Sequence, residues 1–208
     1  MKSKCWFLSF LLLAPAVHAA VSERDWKTPG DGLLTFDDVN NREWLDFEET
    51  FPSNFPGLSS EQRYQEVVAE TAPGGIFEGF VPARISDVIV FAQSAGIDTT
   101  TLDFTTNEAS TQHLIELLGT NSAPQFNQFA LALLDELPNA GTPGRHSIFF
   151  RVLRQSPPSS QEAGLGFGVF TTGDRLTPGV MLYRQIPEPS TVILFASTTL
   201  SVLGMRRR

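Results

Sequence analysis

The chain has 208 residues, of which 15 are Lys or Arg and 23 are Asp or Glu; five of these basic residues and one acidic residue lie in the two ends, so residues 20–186 carry a net charge of −12. This charge, without any basic cluster, argues against nucleic acid as a partner, because binding phosphates requires a basic patch that releases counterions. The single cysteine, Cys5, lies near the N-terminus, which excludes a disulfide, a thiolate nucleophile and a cysteine metal site from residues 20–186.

The N-terminal end is typical of a secretory signal peptide. Two lysines precede an apolar run over residues 6–13, and small residues at Val17 and Ala19 suit the subsites of signal peptidase. The pattern predicts a signal peptide over residues 1–19, cleaved between Ala19 and Ala20. An N-terminal membrane anchor is the alternative, but the apolar run is too short to span ~30 Å of hydrocarbon.

A β-hairpin is predicted near the start of the central region. Two short apolar runs, residues 33–36 and 44–47, flank the turn-forming residues 37–41. Trp44 is expected in the core, because aromatic side chains mostly bury their area. The role of Trp26 is left open between packing and stacking on a sugar ring.

The acidic turn of this hairpin is the one place where the sequence suggests a metal. Asp37, Asp38 and Asn40 are candidate oxygen ligands for calcium. Their spacing is not that of the twelve-residue calcium loop, since the required Gly and the closing Glu are missing. A solvated hairpin tip is the alternative interpretation, and no other metal site and no cofactor is predicted.

Four helices are predicted after the hairpin. The first begins with the capping box Ser59-x-x-Gln62. The other three rest on apolar residues that recur at helical spacing. They are residues 85–92 with an end near Gly96, residues 114–118, and the set Phe126, Phe129, Ala130, Leu133 and Leu137.

The remainder of the central region favours strands. Residues 146–154 and 180–184 read as strands, and residues 165–169 alternate apolar side chains with Gly166 and Gly168. The glycines indicate a bulged or closely packed strand rather than a nucleotide-binding loop. Strands, helices and strands in this order predict a single α+β domain over residues 20–185, in which the hairpin and the last strands share one antiparallel sheet.

The C-terminal end has three parts in a fixed order. Pro187-Glu188-Pro189 is followed by 15 apolar or small residues, 191–205, and by Arg206-Arg207-Arg208. Fifteen residues give about 22 Å of helix, which predicts a short transmembrane helix with its arginines on the cytoplasmic side. An uncleaved membrane anchor is one interpretation of such a tail.

This layout closely resembles the PEP-CTERM sorting signal of Gram-negative bacteria that make exopolysaccharide. That signal is recognised by an exosortase, a membrane enzyme thought to cut near the Pro-Glu-Pro motif. The resemblance covers residues 186–208 and implies an exported protein, anchored in the inner membrane by its tail and then delivered to the cell surface or the extracellular biofilm. It implies an exosortase and exopolysaccharide as partners, in addition to the signal peptidase that the N-terminal pattern implies.

A second resemblance covers residues 31–97. The chain resembles the PEP-CTERM-associated domain with Trp-Leu-Asp and Gly-Phe-Arg motifs, which is related to C-type-lectin-like folds. The runs that carry it are Arg-Glu-Trp-Leu-Asp at residues 42–46, Gly-Gly-Ile-Phe-Glu-Gly-Phe at residues 74–80, Ala83-x-x-x-Asp87-Val88, and Ala-Gly-Ile at residues 95–97. The chain has Val81 where the pattern has Arg, and Asp87 where it has Glu.

No catalytic residue is predicted. The sequence has no nucleophile elbow, phosphate loop or zinc-protease motif, and His113 and His146 are far apart. We therefore expect a non-enzymatic surface or matrix protein associated with exopolysaccharide. The alternatives are a calcium-dependent carbohydrate-binding module and a secreted glycoside hydrolase, whose paired carboxylates only a structure can identify.

Overall fold

The computed structural model describes residues 20–119, 127–138, 144–155, 157–171 and 178–187. Within these residues the chain forms three α-helices, nine strands and two short 3₁₀ turns, Phe47–Thr50 and Pro158–Ser160. The helices are α1 (Ser60–Ala69), α2 (Ile85–Ser94) and α3 (Phe104–Leu118). The strands are β1 (Val21–Arg24), β2 (Leu34–Asp37), β3 (Arg42–Leu45), β4 (Val81–Pro82), β5 (Asn127–Leu133), β6 (Arg145–Leu153), β7 (Glu162–Phe170), β8 (Gly179–Val180) and β9 (Leu182–Gln185).

The strands form two sheets, and the predicted α+β class is confirmed. The first sheet has the antiparallel order β1-β2-β3-β9-β4, and the second has the order β7-β6-β5-β8, in which β5 and β8 run parallel. The last strand does join the predicted hairpin, since Trp44 lies opposite Tyr183. The expectation of one shared sheet is nevertheless wrong for β6 and β7, because β6 pairs with β5 along seven residues instead of with the hairpin.

The fourth predicted helix is wrong, since its central residues, Asn127–Leu133, form β5. This strand lies between β6 and β8 and is buried on both faces: Ala130 and Ala132 belong to one core cluster, Leu131 and Leu133 to the other. A strand buried on both faces has no polar alternation, so its continuous apolar run also satisfied helical spacing. Phe126 lies outside the described residues.

Two core clusters lie on opposite faces of the sheets. Neighbouring residues of β3 belong to different clusters, because successive side chains of a strand point to opposite faces. Trp44 packs in the first cluster with residues of α2 and α3, and Leu45 packs in the second with residues of α1 and the 77–80 segment. Trp44 is fully buried and stacks on Phe91 with ring centroids 4.2 Å apart, so its predicted core position is confirmed.

Local side-chain chemistry defines the helix ends as the sequence predicts. At the start of α1 the Ser59 hydroxyl accepts the Gln62 backbone N–H (3.3 Å), and the Gln62 side chain accepts the Ser59 N–H (2.9 Å), which is the predicted capping box. At the end of α2, Gly96 adopts φ +82° and the Ile97 N–H donates to the Ala92 carbonyl (2.9 Å). Glycine favours this left-handed conformation, which ends the helix at the predicted position.

The alternating glycines of β7 mark a closely packed strand. A Cβ atom at Gly166 would lie 2.1 Å from the ring of Phe149 on β6. The ring therefore occupies the space above the glycine, as the sequence interpretation anticipated.

Candidate functional site

An open cleft of about 440 Å³ lies at one edge of the first sheet, beside β4 and the N-terminal end of α2. Charged and hydroxyl groups dominate its lining, with an apolar wall from the edge strand. The lining residues are Val81, Pro82, Arg84, Ser86, Asp87, Asp135 and Tyr183.

Backbone hydrogen bonds from one residue bring the three distant segments of the cleft together. The Ala83 N–H donates to the Met181 carbonyl just before β9, and the Ala83 carbonyl accepts the N–H of Asp135 just after β5, both at 2.9 Å. Ala83 is fully buried. The cleft is therefore built on the junction of the two sheets and α2, which gives it a rigid frame.

Asp87 is the most strongly held acid of the cleft. Its carboxylate accepts the Arg84 backbone N–H (3.1 Å), which caps α2, and pairs with the Arg42 guanidinium (3.0 Å). The Tyr183 hydroxyl lies 3.5 Å from the same carboxylate, and the Arg42 guanidinium lies 4.5 Å from the Tyr183 ring centroid. Burial, followed by the charge of Asp87, raises the pKa of Tyr183, so its hydroxyl stays protonated at neutral pH.

Asp135 is the second acid, and it connects the cleft with α1. The Tyr64 hydroxyl donates to it at 2.7 Å, and the Tyr64 ring carries the Arg145 guanidinium 3.5 Å from its centroid. Burial and the hydrogen bond with Asp135 raise the pKa of Tyr64. Arg84 approaches Asp135 only to 3.9 Å, and its side chain is 65% exposed, so this guanidinium keeps donors available for a ligand.

The cleft thus presents fixed acceptors, the two carboxylates, next to an exposed fork of donors. The Tyr183 ring is already in contact with Trp44, at 5.0 Å between centroids, and with the Arg42 guanidinium. The carboxylates and the donor fork match a polyhydroxylated ligand, because a carboxylate and a guanidinium can each bind two neighbouring hydroxyl groups, while the exposed Val81 of β4 can contact the apolar face of a sugar.

A second hollow, of about 310 Å³, lies next to Trp26, whose role the sequence left open between packing and stacking on a sugar ring. It is lined by Lys27, Glu49, Asn54, Phe55, Ile76 and Phe77. The Trp26 ring stacks on Phe77 with centroids 5.8 Å apart, and the Lys27 ammonium lies 3.9 Å from the Trp26 centroid. Phe80 also contacts the ring edge-on, with centroids 5.7 Å apart, so Trp26 packs against its neighbours instead of offering a free ring for a sugar.

The calcium candidates of the hairpin turn are engaged in holding the turn. The Asp37 side chain is fully buried; its carboxylate accepts the backbone N–H groups of Val39 and Asn40, both at 3.2 Å, and the Asn40 side-chain amide at 2.7 Å. Asp38 is exposed. Among the described residues, no group of three or more His, Cys, Asp or Glu side chains is arranged to hold a metal ion.

Both ends of the described domain meet at this same turn. The Asp38 N–H donates to the Ala20 carbonyl (3.0 Å), and the Ile186 N–H donates to the Asn41 carbonyl (2.8 Å). The Gln185 side chain adds bonds to the Asn40 and Asn41 carbonyls at 3.0 and 3.1 Å. Pro187, the first residue of the predicted sorting motif, is exposed beside the turn.

The other residues of the predicted signals lie outside the described residues. These are residues 1–19, which include Ala19, and Glu188, Pro189, the apolar residues 191–205, and Arg206, Arg207 and Arg208. Of the helices in the described parts of the chain, none has the length and apolarity needed to cross a membrane.

The sequence did not predict the cleft. Arg84 and Asp87 have the spacing of a capping pair at a helix start, and this spacing is the one local signal available. Asp135 and Tyr183 have no such signal, because only the packing of distant segments brings them near. Comparisons with protein-family models, curated proteins and solved structures found no significant match, so the functional argument rests on the residues themselves.

Proposed function

We propose that this protein is an exported surface or extracellular-matrix protein, sorted through its C-terminal tail by an exosortase, whose domain binds exopolysaccharide without catalysis. The observation that carries the sorting half is the order of the last 22 residues: Pro187-Glu188-Pro189, the apolar residues 191–205, and the three terminal arginines. The predicted signal peptide over residues 1–19 supports the same export route.

The geometry at the end of the domain is compatible with processing there. Gln185 and Ile186 are fixed to the hairpin turn by hydrogen bonds, while Pro187 is exposed. The last strand, β9, ends before Pro187 and is hydrogen-bonded to the rest of the domain. Cleavage beyond Pro187 would therefore leave every described strand intact.

The binding half rests on the cleft beside β4. Its two carboxylates, its exposed Arg84 fork and its apolar wall at Val81 are suited to the hydroxyl groups and apolar faces of sugars. The net charge of −12 over residues 20–186 disfavours a polyanionic polymer by long-range repulsion. We therefore expect a neutral or weakly charged polysaccharide.

The sorting proposal is tested by replacing Pro187, Glu188 and Pro189 with alanine and fractionating the cells. The unaltered protein should reach the cell surface or the medium, and the variant should accumulate in the inner membrane. Replacing the exposed prolines Pro157 and Pro158 with alanine is the matched control and should leave delivery unchanged. Normal surface delivery of the motif variant would refute the proposal.

The binding proposal is tested by co-sedimentation with the exopolysaccharide of the producing cell, with and without calcium. Arg84→Ala should weaken binding about tenfold, the loss expected for one charged hydrogen-bonding group. Arg154→Ala is the control, because Arg154 pairs with Glu108 and Gln112 on α3, outside the cleft. Equal binding by both variants would exclude the cleft, and binding only with calcium would favour the calcium-dependent module.

One observation favours a second candidate, a glycoside hydrolase: two acids, Asp87 and Asp135, line the same cleft. Against it, both acids face an arginine, at 3.0 and 3.9 Å, whereas glycoside hydrolysis requires one carboxyl group that donates a proton. Release of new reducing ends from the polymer, abolished by Asp135→Asn, would establish the hydrolase in place of the binding module.

A further inference from the structure

The two acids of the cleft differ in how many of their oxygens are already bonded. In Asp87, Oδ2 accepts the Arg84 backbone N–H and Oδ1 pairs with the Arg42 guanidinium. In Asp135, Oδ1 accepts the Tyr64 hydroxyl at 2.7 Å, but no donor among the described residues lies within hydrogen-bond distance of Oδ2. The Asp135 side chain is 43% exposed, so Oδ2 is a fixed acceptor that is open to a ligand.

The Arg84 guanidinium provides unused donors beside this acceptor. Its side chain is 65% exposed, and its Nε lies 3.9 Å from Asp135 Oδ2, which is too far for a hydrogen bond. A ligand group next to both residues can therefore donate to Asp135 while a neighbouring group accepts from Arg84. Neither contact displaces a hydrogen bond that the protein already makes.

The edge strand β4 adds an apolar wall to this donor and acceptor. Val81 lies opposite Tyr183 of β9, is 45% exposed and lines the cleft together with Pro82. The side chains of valine and proline have no hydrogen-bonding group. The wall therefore suits a ligand that carries a small apolar group close to its own donor.

We propose that the cleft selects a polysaccharide of 2-acetamido sugars over one of plain hexoses. This inference rests on the proposed function, since it names the sugar class for the same cleft. In a planar trans amide the N–H and the methyl group lie on the same side. The acetamido N–H donates to Asp135 Oδ2, the methyl group contacts Val81, and Arg84 donates to the neighbouring ring hydroxyl. The ligand is uncharged, so the net charge of −12 over residues 20–186 does not repel it.

The test is calorimetric titration of the full chain in detergent with three β-1,4-linked tetrasaccharides that differ only in the group at C2. They are those of N-acetylglucosamine, glucose and glucosamine. The acetamido ligand should bind about fourfold more tightly than the glucose ligand, which is the effect of one buried methyl group. The glucosamine ligand has no methyl group and should bind no more tightly than glucose. Salt of about 1 M, where the screening length is ~3 Å, removes the long-range attraction between its ammonium groups and the acidic domain.

Two valine variants locate the selectivity. Val81→Ser removes the apolar wall but keeps the backbone of β4, so it should bind the acetamido and glucose ligands alike. Val90→Ser is the matched control, because Val90 is 40% exposed on α2 and does not line the cleft, and it should keep the preference. Equal binding of the two ligands by the unaltered protein, tightest binding of the glucosamine ligand, a preference that survives Val81→Ser, or its loss in Val90→Ser would each overturn the proposal.

Co-sedimentation with the exopolysaccharide of the producing cell separates this inference from the proposed function. If the unaltered protein binds the polymer, Arg84→Ala weakens that binding, and the acetamido ligand is not preferred, only the selectivity is wrong. If the unaltered protein binds neither the polymer nor any tetrasaccharide, the proposed binding function is wrong as well.

Discussion

The two sheets of this domain hold charged groups in the same way but differ in their edge strands. On the first sheet, the carboxylate of Glu43 accepts from two arginines, Arg24 at 3.2 Å and Arg184 at 2.7 Å. The two guanidinium groups lie over the rings of Phe36 and Phe80. On the second sheet the Arg151 guanidinium likewise pairs with Glu162 and lies 5.0 Å from the centroid of the Phe149 ring, which also covers Gly166. Arginines over aromatic rings are thus common to both sheets, but the edges differ. The edge strand β4 of the first sheet has two residues and lines the cleft, whereas the edge strand β7 of the second has nine and, among the described residues, pairs with no strand except β6.

The largest expected effect concerns the core beneath the first sheet. Trp44→Ala removes a fully buried ring that contacts Phe91 at 4.2 Å and Tyr183 at 5.0 Å between centroids. We expect it to lower the free energy of unfolding by about 3–5 kcal/mol, measured by urea denaturation. Trp26→Ala is the comparison, because that ring is only half-buried and should cost roughly half as much. Equal losses would mean that the two clusters contribute alike.

The next effect is a pH dependence of stability that arises from Asp46, the residue directly after β3. Burial raises the pKa of the Asp46 carboxyl from 3.8 to about 6, and the nearby charges of Glu48 and Glu49 add to this, against the hydrogen bond from the Glu48 N–H. A raised pKa means that the folded state favours the protonated acid. Its contribution to stability is therefore complete below pH 3.8 and is lost as the pH rises through about 6.

Asp46→Asn should remove this loss, because asparagine is neutral and keeps the oxygen that accepts the Glu48 N–H (3.2 Å). At pH 8 the variant should be more stable than the unaltered protein by about 2 kcal/mol, the order of magnitude that the pKa shift implies. Urea denaturation at pH 3.5 is the control, since the two proteins should then unfold alike. A variant less stable at pH 8 would show that the acid is stabilised in its charged form.

The fold could be predicted where an element carries a local signal, such as turn residues, a capping pair or an apolar spacing. The β2–β3 hairpin, the capping box of α1 and the apolar spacing of α2 all carry local signals, and the structure confirms them. Burial on both faces removes such signals, which is why β5 was predicted as a helix. The separation into two sheets was likewise unpredictable, because strand pairing between β5 and β6 depends on which apolar runs meet in space.

The candidate site was less predictable than the fold. Asp87 could be located at a helix start from its spacing to Arg84, but Asp135 and Tyr183 lie 48 and 96 residues further along the chain. Tyr183 reaches the cleft because it pairs with Val81 of β4, and Asp135 reaches it because its N–H bonds to the Ala83 carbonyl. These long-range backbone contacts leave no periodic pattern in the sequence. The sequence alone therefore identifies the polar residues but not that they lie close together.

A smaller effect tests whether the charges of the first sheet stabilise it. Glu43 is 7% exposed and pairs with two arginines, so Glu43→Gln leaves two cations without their counter-charge. Because both arginines are partly exposed, we expect a loss of only about 1–2 kcal/mol, reduced by added salt. Glu49→Gln, which breaks the more exposed pair with Lys27, is the control and should cost less than about 1 kcal/mol. Similar losses would contradict a special role of Glu43.

The smallest effect distinguishes two glycines of the second sheet. At Gly166 a Cβ would lie 2.1 Å from the Phe149 ring, whereas at Gly168 the nearest atom, the Ser147 hydroxyl, is 3.7 Å away. Gly166→Ala therefore forces the ring to tilt and should cost about 1 kcal/mol. Gly168→Ala should be neutral or slightly stabilising, because alanine reduces the entropy of the unfolded chain without a clash. Both glycines lie on β7, so the two variants are compared by urea denaturation at the same protein concentration, and their difference measures the contact with the Phe149 ring. If the two substitutions have the same effect, the Phe149 ring is free to move, and the second sheet is held by its core alone.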